Sequence, residues 1–461
     1  MSEKLVRKYG LFTAICMVVG IVIGSGVFFK AKDILFLTGG DMPMGIMAWL
    51  IGGGIMLVSL LTFSFMGQKY ERVNGLVDYA EATVGPKYGY MMGWFCTTIY
   101  FPSMTAVLTW VSAMYTLIFV NSAFPGLLGE SVDVAAGSHT IALTLFYLCM
   151  VYGLNTLSPK LAGKFQTSTT VIKMIPLALM AVVGIAAGLI SGMLQENFTT
   201  PALQIYGYTG GFSNTPLLSS VCATAFAYEG WIIATSINSE IKDSKKNLPR
   251  ALIIGGVIIV GIYLFYYIGV AGGATNQELM SYGAARAFTN LFGNFFGNVL
   301  NLFVAISCLG TTNGLMLGCT RCMYSLASRG EGPSPITYGQ VDRKTNMPGN
   351  SGIFALMITA AWFVYYYVTN ISGLWTGIFA FDSSEIPIIT IYIMYLPMLI
   401  QWMRKETDQN FLRRFLMPGL SLCGSLFMLF ACVRAHQMDC VWYLIVFAVI
   451  MLIGILVNKK K

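Results

Sequence analysis

Long apolar runs separated by short polar stretches fill almost the whole chain. A run of about 20 apolar residues crosses the hydrocarbon core of a bilayer as a helix. About twelve such runs can be counted by this measure, at 9–30, 43–67, 88–120, 138–156, 166–190, 214–236, 250–272, 294–326, 350–369, 375–399, 412–433 and 440–457. The pattern predicts an all-α membrane protein whose residues 1–461 form one polytopic domain.

The first apolar run is interrupted in its middle. It reads GIVIGSGVF from Gly20 to Phe28, with Gly24, Ser25 and Gly26 together. Glycine gives up helical structure easily, and unwound backbone at membrane depth is tolerated where it is buried in protein or lines a cavity. The stretch predicts a helix break whose free N–H and C=O groups suit a zwitterion, although small residues also allow close helix packing.

The sixth run is interrupted in a similar way. It reads TAFAYEGWIIATS, and its small residues, acid and Gly230 predict a second break near Ala227 to Gly230. Two interrupted helices at corresponding places in two five-span halves are typical of an inverted-repeat transporter with a midplane site. The first repeat is therefore predicted at about 9–190 and the second at about 214–399, with extra helices at about 412–457.

Lys173 and Glu229 are two of the ionisable residues that lie inside predicted spans. Lys173 lies about 10 Å of helix beyond the predicted boundary of the fifth span, and Glu229 lies within the second break. An intramembrane lysine is a functional candidate by default, but its long stem can also reach the interface. Glu229 either titrates or faces an amine, or it caps freed backbone and bonds across helices.

Two further polar groups lie in the later spans. Ser307, Thr311, Thr312 and Asn313 form a stripe in the eighth span that can line a site or bond between helices. In the tenth span, Asp382 and Glu385 precede Pro387. These two acids either line an external vestibule or lie at a helix kink.

Composition agrees with a membrane protein, and the basic residues predict its orientation. The chain is 56% hydrophobic and 10% charged, with a mean hydropathy of +0.69. Of 28 Lys and Arg residues, 22 fall on one side of the predicted spans and only Lys30, Lys32, Arg286 and Arg434 on the other. The positive-inside rule then predicts cytoplasmic N- and C-termini.

The sequence contains no motif that is typical of an enzyme, a metal site or a nucleic-acid-binding protein. Cys319 and Cys322 form a CxxC, but the two histidines, His139 and His436, are predicted on the opposite side. No metal and no cofactor are therefore expected. No arrangement of nucleophile, base and acid, no phosphate-binding loop and no basic-aromatic surface for nucleic acid is recognisable, so neither an enzyme nor a nucleic-acid partner is expected.

With these residues considered, the chain resembles the amino acid-polyamine-organocation superfamily. Within it the chain is similar to the L-type amino acid transporter family, close to bacterial serine/threonine and alanine/serine/cysteine exchangers. The resemblance extends from Gly10 to Arg414. It rests on GIVIGSGVF, FQTSTTVIKMIP, FAYEGW followed by EIKDSKKNLPRA, and SCLGTTNG with the later Arg321 and SRGEG.

The resemblance implies a substrate site between the two breaks. In such transporters backbone amides, here those of Ser25 and Gly26, bind the substrate carboxylate, and a carbonyl just before them, here that of Val22, takes the α-amine. Carbonyls of the sixth span complete the amine site; here they belong to Phe226, Ala227 and Glu229. The ring of Phe226 resembles the gating aromatic of the family.

The resemblance also implies a coupling role for Lys173 and predicts the transport mode. The matching lysine is thought to occupy the position of sodium in related carriers and to link the first, fifth and eighth spans. The prediction is a sodium-independent exchanger of neutral L-amino acids in the plasma membrane. Proton-coupled uptake is the alternative mechanism, and an amino-acid sensor without transport is the alternative from another class.

Two features depart from the family pattern. Animal members pair with a single-pass glycoprotein through a cysteine in the loop after the third span, and the loop from Asn121 to His139 has no cysteine. No disulfide-linked heavy subunit is therefore expected. Asp382 and Glu385 are outside the expected pattern of the tenth span, which leaves the side-chain preference open.

Overall fold

The structure is a computed structural model that describes residues 10–24, 26–70, 75–129, 133–200, 215–232 and 241–458. Over these residues it is all-helical, as predicted. Ten helices are long and apolar enough to cross a membrane, and an eleventh span is a bent pair with an angle of 42° between its halves. The predicted span 214–236 is described as one short apolar helix and the break after it, since 233–240 lie outside the described residues.

The helices are numbered here in chain order. The broken first span consists of α1 (Leu11–Val22) and α2 (Gly26–Leu37). The rest of the first part comprises α3 (Met42–Lys69), α4 (Leu76–Thr83), α5 (Pro86–Ala123), α6 (Ser138–Leu157), α7 (Pro159–Ser191) and α8 (Met193–Thr199).

The second part begins with the short apolar helix α9 (Pro216–Tyr228). It continues with α10 (Ser244–Ala271), α11 (Asn276–Tyr282), α12 (Ala284–Phe292), α13 (Asn294–Ser328), α14 (Pro335–Tyr338), α15 (Gly349–Ile371) and α16 (Ile386–Lys405). The two last helices are α17 (Leu412–His436) and α18 (Met438–Val457).

The tenth predicted span was wrong at its start. The prediction placed 375–399 in a helix, whereas α16 begins at Ile386. Gly377 and Phe379 have φ of 91° and 63°, and this left-handed backbone cannot continue an α-helix. Pro387 then lies in the first turn of α16. Backbone N–H groups in the first turn have no partner within the helix, so a proline is tolerated there.

The two short half-helices lie inside the bundle. α1 packs against α7, α10 and α13, while α9 packs against α2, α3 and α17. The close approach of α7 and α10 depends on glycine, because a Cβ on Gly184 would meet the carbonyl of Gly269. Both breaks are thereby enclosed by protein, the condition under which unwound backbone is tolerated in a membrane.

Helix α5 contains a π-helical turn at Cys96–Tyr100. Such a turn holds one more residue than a regular α-helical turn, and π-turns occur frequently at functional sites. Tyr100 is the last residue of this turn and is completely buried. Its hydroxyl points to the second break.

Candidate functional site

The first break lies where the GSG sequence predicts it. α1 ends at Val22, Ile23 is extended with φ −72° and ψ 93°, and α2 begins at Gly26. Ser25, the predicted carboxylate ligand, lies outside the described residues. The end of α1 leaves backbone carbonyls without helical partners, and the start of α2 leaves N–H groups in the same state.

Lys173 on α7 donates to the carbonyls at this break. Its side chain is fully buried, and Nζ donates to Gly20 O at 2.8 Å, to Ile23 O, and to Thr311 Oγ1 of α13 at 3.2 Å. The ammonium therefore joins α1, α7 and α13 instead of reaching an interface. Its charge lies at the carbonyl end of α1, where the helix dipole favours a cation.

The second break follows α9. This helix ends at Tyr228, Glu229 is extended with φ −87° and ψ 170°, and Gly230 has φ 95°, a conformation that glycine adopts readily. The predicted amine ligands Phe226 and Ala227 belong to the last turn of α9, whose carbonyls lack helical N–H partners.

Glu229 bonds across helices. Its carboxylate accepts hydrogen bonds from the hydroxyls of Tyr100 on α5 and, at 3.5 Å, of Tyr392 on α16. The backbone N–H of Gly230 also donates to it. The side chain is 3% exposed, so these three donors take the place of water around the carboxylate. The interhelical alternative from the sequence matches this geometry.

The two breaks contact each other directly. A Cβ on Gly26 would lie 2.5 Å from the Cα of Ala227. The hydroxyl of Tyr263, from α10, lies 3.1 Å from Val22 O and 3.0 Å from Ala227 O. One tyrosine hydroxyl thus connects the two carbonyls that the resemblance assigns to the substrate amine.

The polar stripe of α13 divides into two functions, and its first two residues face the first break. Ser307 Oγ donates to Gly24 O at 3.1 Å, and Thr311 Oγ1 donates to Ile23 O at 3.2 Å. These hydroxyls satisfy carbonyls that the unwound segment has freed.

Of the other two residues of the stripe, Asn313 holds helices together. Asn313 accepts from Asn155 Nδ2 at 3.0 Å and donates to Gln166 Oε1 at 3.1 Å, which joins α13 to α6 and α7. Thr312 bonds back to Cys308 O within α13. The stripe therefore both lines the first break and bonds between helices, the two alternatives that the sequence left open.

A cavity of about 1030 Å³ lies beside α2 and α9, and we call it the vestibule. Its lining includes Lys30, Asp33, Ser219, Asp382, Glu385 and His436. Glu385 forms an ion pair with Lys30 and precedes α16 directly, so it lines the cavity and also starts the helix. Lys30 Nζ also lies 5.6 Å from the centroid of the Phe226 ring, which connects the vestibule with the second break.

Tyrosines form the part of the site that the sequence did not reveal. Tyr100, Tyr263 and Tyr392 come from three different helices and supply hydroxyl groups to the two breaks. In an apolar run a tyrosine is usually a packing residue with one polar atom. Only the tertiary arrangement distinguishes these three from the many other tyrosines of the chain.

Comparison with known proteins identifies relatives of this chain. The amino acid permease family model matches residues 9–456. The serine/threonine exchanger SteT of Bacillus subtilis is 28% identical, over 95% of this chain and 94% of its own length. Asc-type amino acid transporter 1 of Mus musculus is 27% identical over 75% of this chain and 63% of its own length.

The fold has a solved counterpart. The crystal structure of MhsT in complex with L-phenylalanine aligns with a TM-score of 0.61 at 12% identity, and the alignment covers 99% of this chain and 100% of that one. At this identity the likeness concerns the fold, and the predicted fold class is confirmed. From the family match, the chain belongs to the amino acid permease family of the amino acid-polyamine-organocation superfamily and is an amino acid transporter rather than an enzyme.

Proposed function

We propose that the protein exchanges neutral L-amino acids by alternating access without using sodium. The observation that carries this proposal is the position of Lys173. Its ammonium already occupies Gly20 O, Ile23 O and Thr311 Oγ1, a set of oxygens at an unwound helix. Transporters of this architecture coordinate sodium with such carbonyls. With the lysine donating to these oxygens, a bound sodium ion is not needed to hold the break.

The substrate lies between the breaks in this proposal. Its carboxylate binds the amides of Ser25 and Gly26 at the N-terminal end of α2, where the helix dipole is positive. Its ammonium binds the carbonyls of Val22, Phe226, Ala227 and Glu229. The contact between Gly26 and Ala227 supports a shared site, because the two sets of backbone groups face each other at close range.

The substrate class follows from the same groups and from the relatives. Backbone N–H and C=O groups recognise the part that all amino acids share, so they favour a zwitterion without selecting its side chain. One relative is named as a serine/threonine exchanger and another as an Asc-type amino acid transporter. We therefore assign small neutral amino acids as the first substrates to test.

The repeats and the membrane orientation are part of the proposal. Residues about 9–190 and 214–399 act as the two halves that move relative to each other, and 412–457 are additional helices. The basic residues support a plasma-membrane protein with both termini in the cytoplasm. The loop after the third span has no cysteine, so no disulfide-linked heavy subunit is required.

Proteoliposomes provide the test. Labelled serine, alanine, leucine and arginine are presented outside, in sodium-free buffer, with or without unlabelled amino acid inside. The expected result is uptake of serine and alanine that requires internal amino acid and does not change when sodium is added. Uptake that needs sodium or proceeds equally into empty vesicles would contradict the proposal.

Proton-coupled uptake is the second candidate, and the buried carboxylate of Glu229 favours it. Its three donors, Tyr100, Tyr392 and the N–H of Gly230, are neutral groups. The two mechanisms are distinguished with vesicles that contain no amino acid and are placed in acidic buffer. Net accumulation driven by the pH gradient indicates proton symport, whereas an obligatory exchanger does not fill these vesicles. Binding without transport under every gradient would indicate a sensor.

A further inference from the structure

Two cysteines, a histidine and an acid meet at the wall of the vestibule. Cys222 lies on α9, and Cys432 and His436 lie on α17. Their ligand atoms are all within 4.8 Å of one another. Glu385 Oε2 lies 3.1 Å from His436 Nε2 and 3.8 Å from Cys222 Sγ. The residues come from α9, from α17 and from the position just before α16, so their sequence spacing did not predict the cluster as a whole.

The donor set is suited to zinc. Two thiolates, an imidazole and a carboxylate are ligands that Zn²⁺ accepts in tetrahedral geometry. With Zn–S bonds of about 2.3 Å, two sulfur ligands of a tetrahedral ion lie roughly 3.8 Å apart. The separations of up to 4.8 Å among the ligand atoms of Cys222, Cys432 and His436 therefore require a closure of roughly 1 Å, which side-chain rotation can supply.

Charge and access also fit a divalent cation. When a metal displaces the two thiol protons, Cys222, Cys432 and Glu385 carry three negative charges. Lys30 offsets one of them while also pairing with Asp33 at 3.7 Å. A divalent ion offsets most of this negative charge, which lowers the cost of holding it in a mostly buried place. Glu385 and His436 line the vestibule, so an ion can reach the site from that cavity.

We propose that Cys222, Cys432, His436 and Glu385 form a binding site for Zn²⁺, and that the bound ion inhibits transport. The ion would join α9, the half-helix before the second break, to α17 and to the start of α16. An element that must move during alternating access would then be fixed. The inhibition rests on the proposed transport function, whereas the binding does not.

Binding is tested on the purified, reduced full-length protein with Co²⁺ as a spectroscopic substitute for Zn²⁺. We expect a thiolate-to-cobalt charge-transfer band and the intense visible bands of tetrahedral Co²⁺, both removed by stoichiometric Zn²⁺. Cys432→Ser and His436→Gln should weaken Co²⁺ binding by about 100-fold or more. Cys423→Ser, an exposed cysteine on the same helix, and His139→Gln are the matched controls and should bind normally.

A disulfide is the competing interpretation, because Cys440 Sγ lies 3.9 Å from Cys432 Sγ. Cys440→Ser should keep the cobalt spectrum and the zinc sensitivity if a metal site exists. Absence of the charge-transfer band in the reduced protein, or a zinc effect that disappears in Cys440→Ser and is reversed by a thiol reductant, would overturn the proposal.

Inhibition is measured separately in proteoliposomes. Zn²⁺ in the outer buffer should reduce amino acid exchange, a chelator should restore it, and Cys432→Ser should shift the inhibitory concentration upward by about tenfold or more. Exchange that continues with Zn²⁺ bound, as judged by displacement of Co²⁺, would overturn the inhibitory part. Failure of exchange without zinc would instead count against the proposed function, while the cobalt result still decides the metal site.

Discussion

The two helix breaks are alike in backbone and opposite in charge. At the first, Lys173 places an ammonium on the carbonyls that end α1. At the second, Glu229 places a carboxylate directly after α9, where the free carbonyls are already partly negative. The first break therefore has its carbonyl end neutralised and presents the positive N-terminal end of α2. The second break is left negative.

This difference gives a zwitterion one preferred direction. A carboxylate is favoured beside α2, and an ammonium is favoured beside the end of α9. Residues close to both, such as Tyr263, hold the breaks at a fixed distance. Changes at the two breaks should therefore differ in their effect on transport, and the loss of Lys173 should be the most harmful.

Removal of the built-in cation should have the largest effect. In Lys173→Ala, the carbonyls of Gly20 and Ile23 each lose a charged hydrogen bond worth about 1.5–3 kcal/mol, although Ile23 O keeps the bond from Thr311 Oγ1. We expect exchange to fall by about 100-fold or more, since 1.4 kcal/mol corresponds to about tenfold. Initial uptake rates in proteoliposomes measure this. Lys164→Ala, at an exposed position of the same helix, is the control and should remain active. Normal exchange in Lys173→Ala would contradict the proposed difference between the two breaks.

Separation of the two breaks should be the next most harmful change. In Gly26→Ala the new methyl group would lie 2.5 Å from the Cα of Ala227, a backbone atom that cannot turn aside. Overpacking of this kind costs about 1–3 kcal/mol, so we expect a roughly tenfold to 100-fold loss of kcat/KM for exchange. Gly54→Ala on α3 is the control, because a Cβ there meets no atom within 4 Å. Equal effects of the two substitutions would argue against a shared site.

Neutralisation of the second break should have a smaller effect. Glu229→Gln keeps the shape but weakens the hydrogen bonds from Tyr100 and Tyr392, and the difference between bonds to charged and neutral groups is about 1 kcal/mol. We expect a roughly fivefold rise in KM for serine. Uptake under an imposed pH gradient should be as insensitive to that gradient as in the parent protein. A gradient response present in the parent and lost in the variant would favour proton coupling.

Loss of the hydroxyl between the breaks should have the smallest effect. Tyr263→Phe removes one neutral hydrogen-bond donor shared by Val22 O and Ala227 O, worth about 0.5–1.5 kcal/mol. We expect a roughly twofold change in KM, the low end of that range, with the maximum rate retained. Kinetics over a range of serine concentrations measure it. Tyr282→Phe, at an exposed position outside the spans, serves as the control. A complete loss of exchange would indicate that Tyr263 does more than hold the carbonyls.

The sequence predicts the breaks better than their surroundings. Gly24, Gly26 and Gly230 identify both breaks because unwinding has a local chemical signature. The hydroxyls of Tyr100 and Tyr392 reach Glu229 from other helices, and an aromatic residue in an apolar run gives no sign of its partner. Cys222 and Cys432 are likewise separated by most of the second part of the chain.

The same limit explains the error at the tenth span. Apolar content alone extends the run to residue 375, but Phe379 adopts a left-handed conformation that no pattern of hydropathy predicts. The acids that follow thus lie in irregular backbone, with Glu385 next to Lys30 and His436. The predicted membrane sides had left Cys319 and Cys322 with too few ligands for a metal, whereas folding brings together a different set, Cys222, Cys432 and His436.

The π-helical turn at Cys96–Tyr100 carries an implication for the length of the chain itself. A π-turn accommodates one residue more than an α-turn, so deletion of one residue there would restore regular winding. The helix on either side of the turn would then stay in phase, because the deleted residue is the one that the wide turn had absorbed. Trp94 and Tyr100 could both keep their partners, Ile450 O and Glu229, if neither of them is the residue removed. The turn is therefore the place where α5 could lose one residue without changing the register of the helices packed around it.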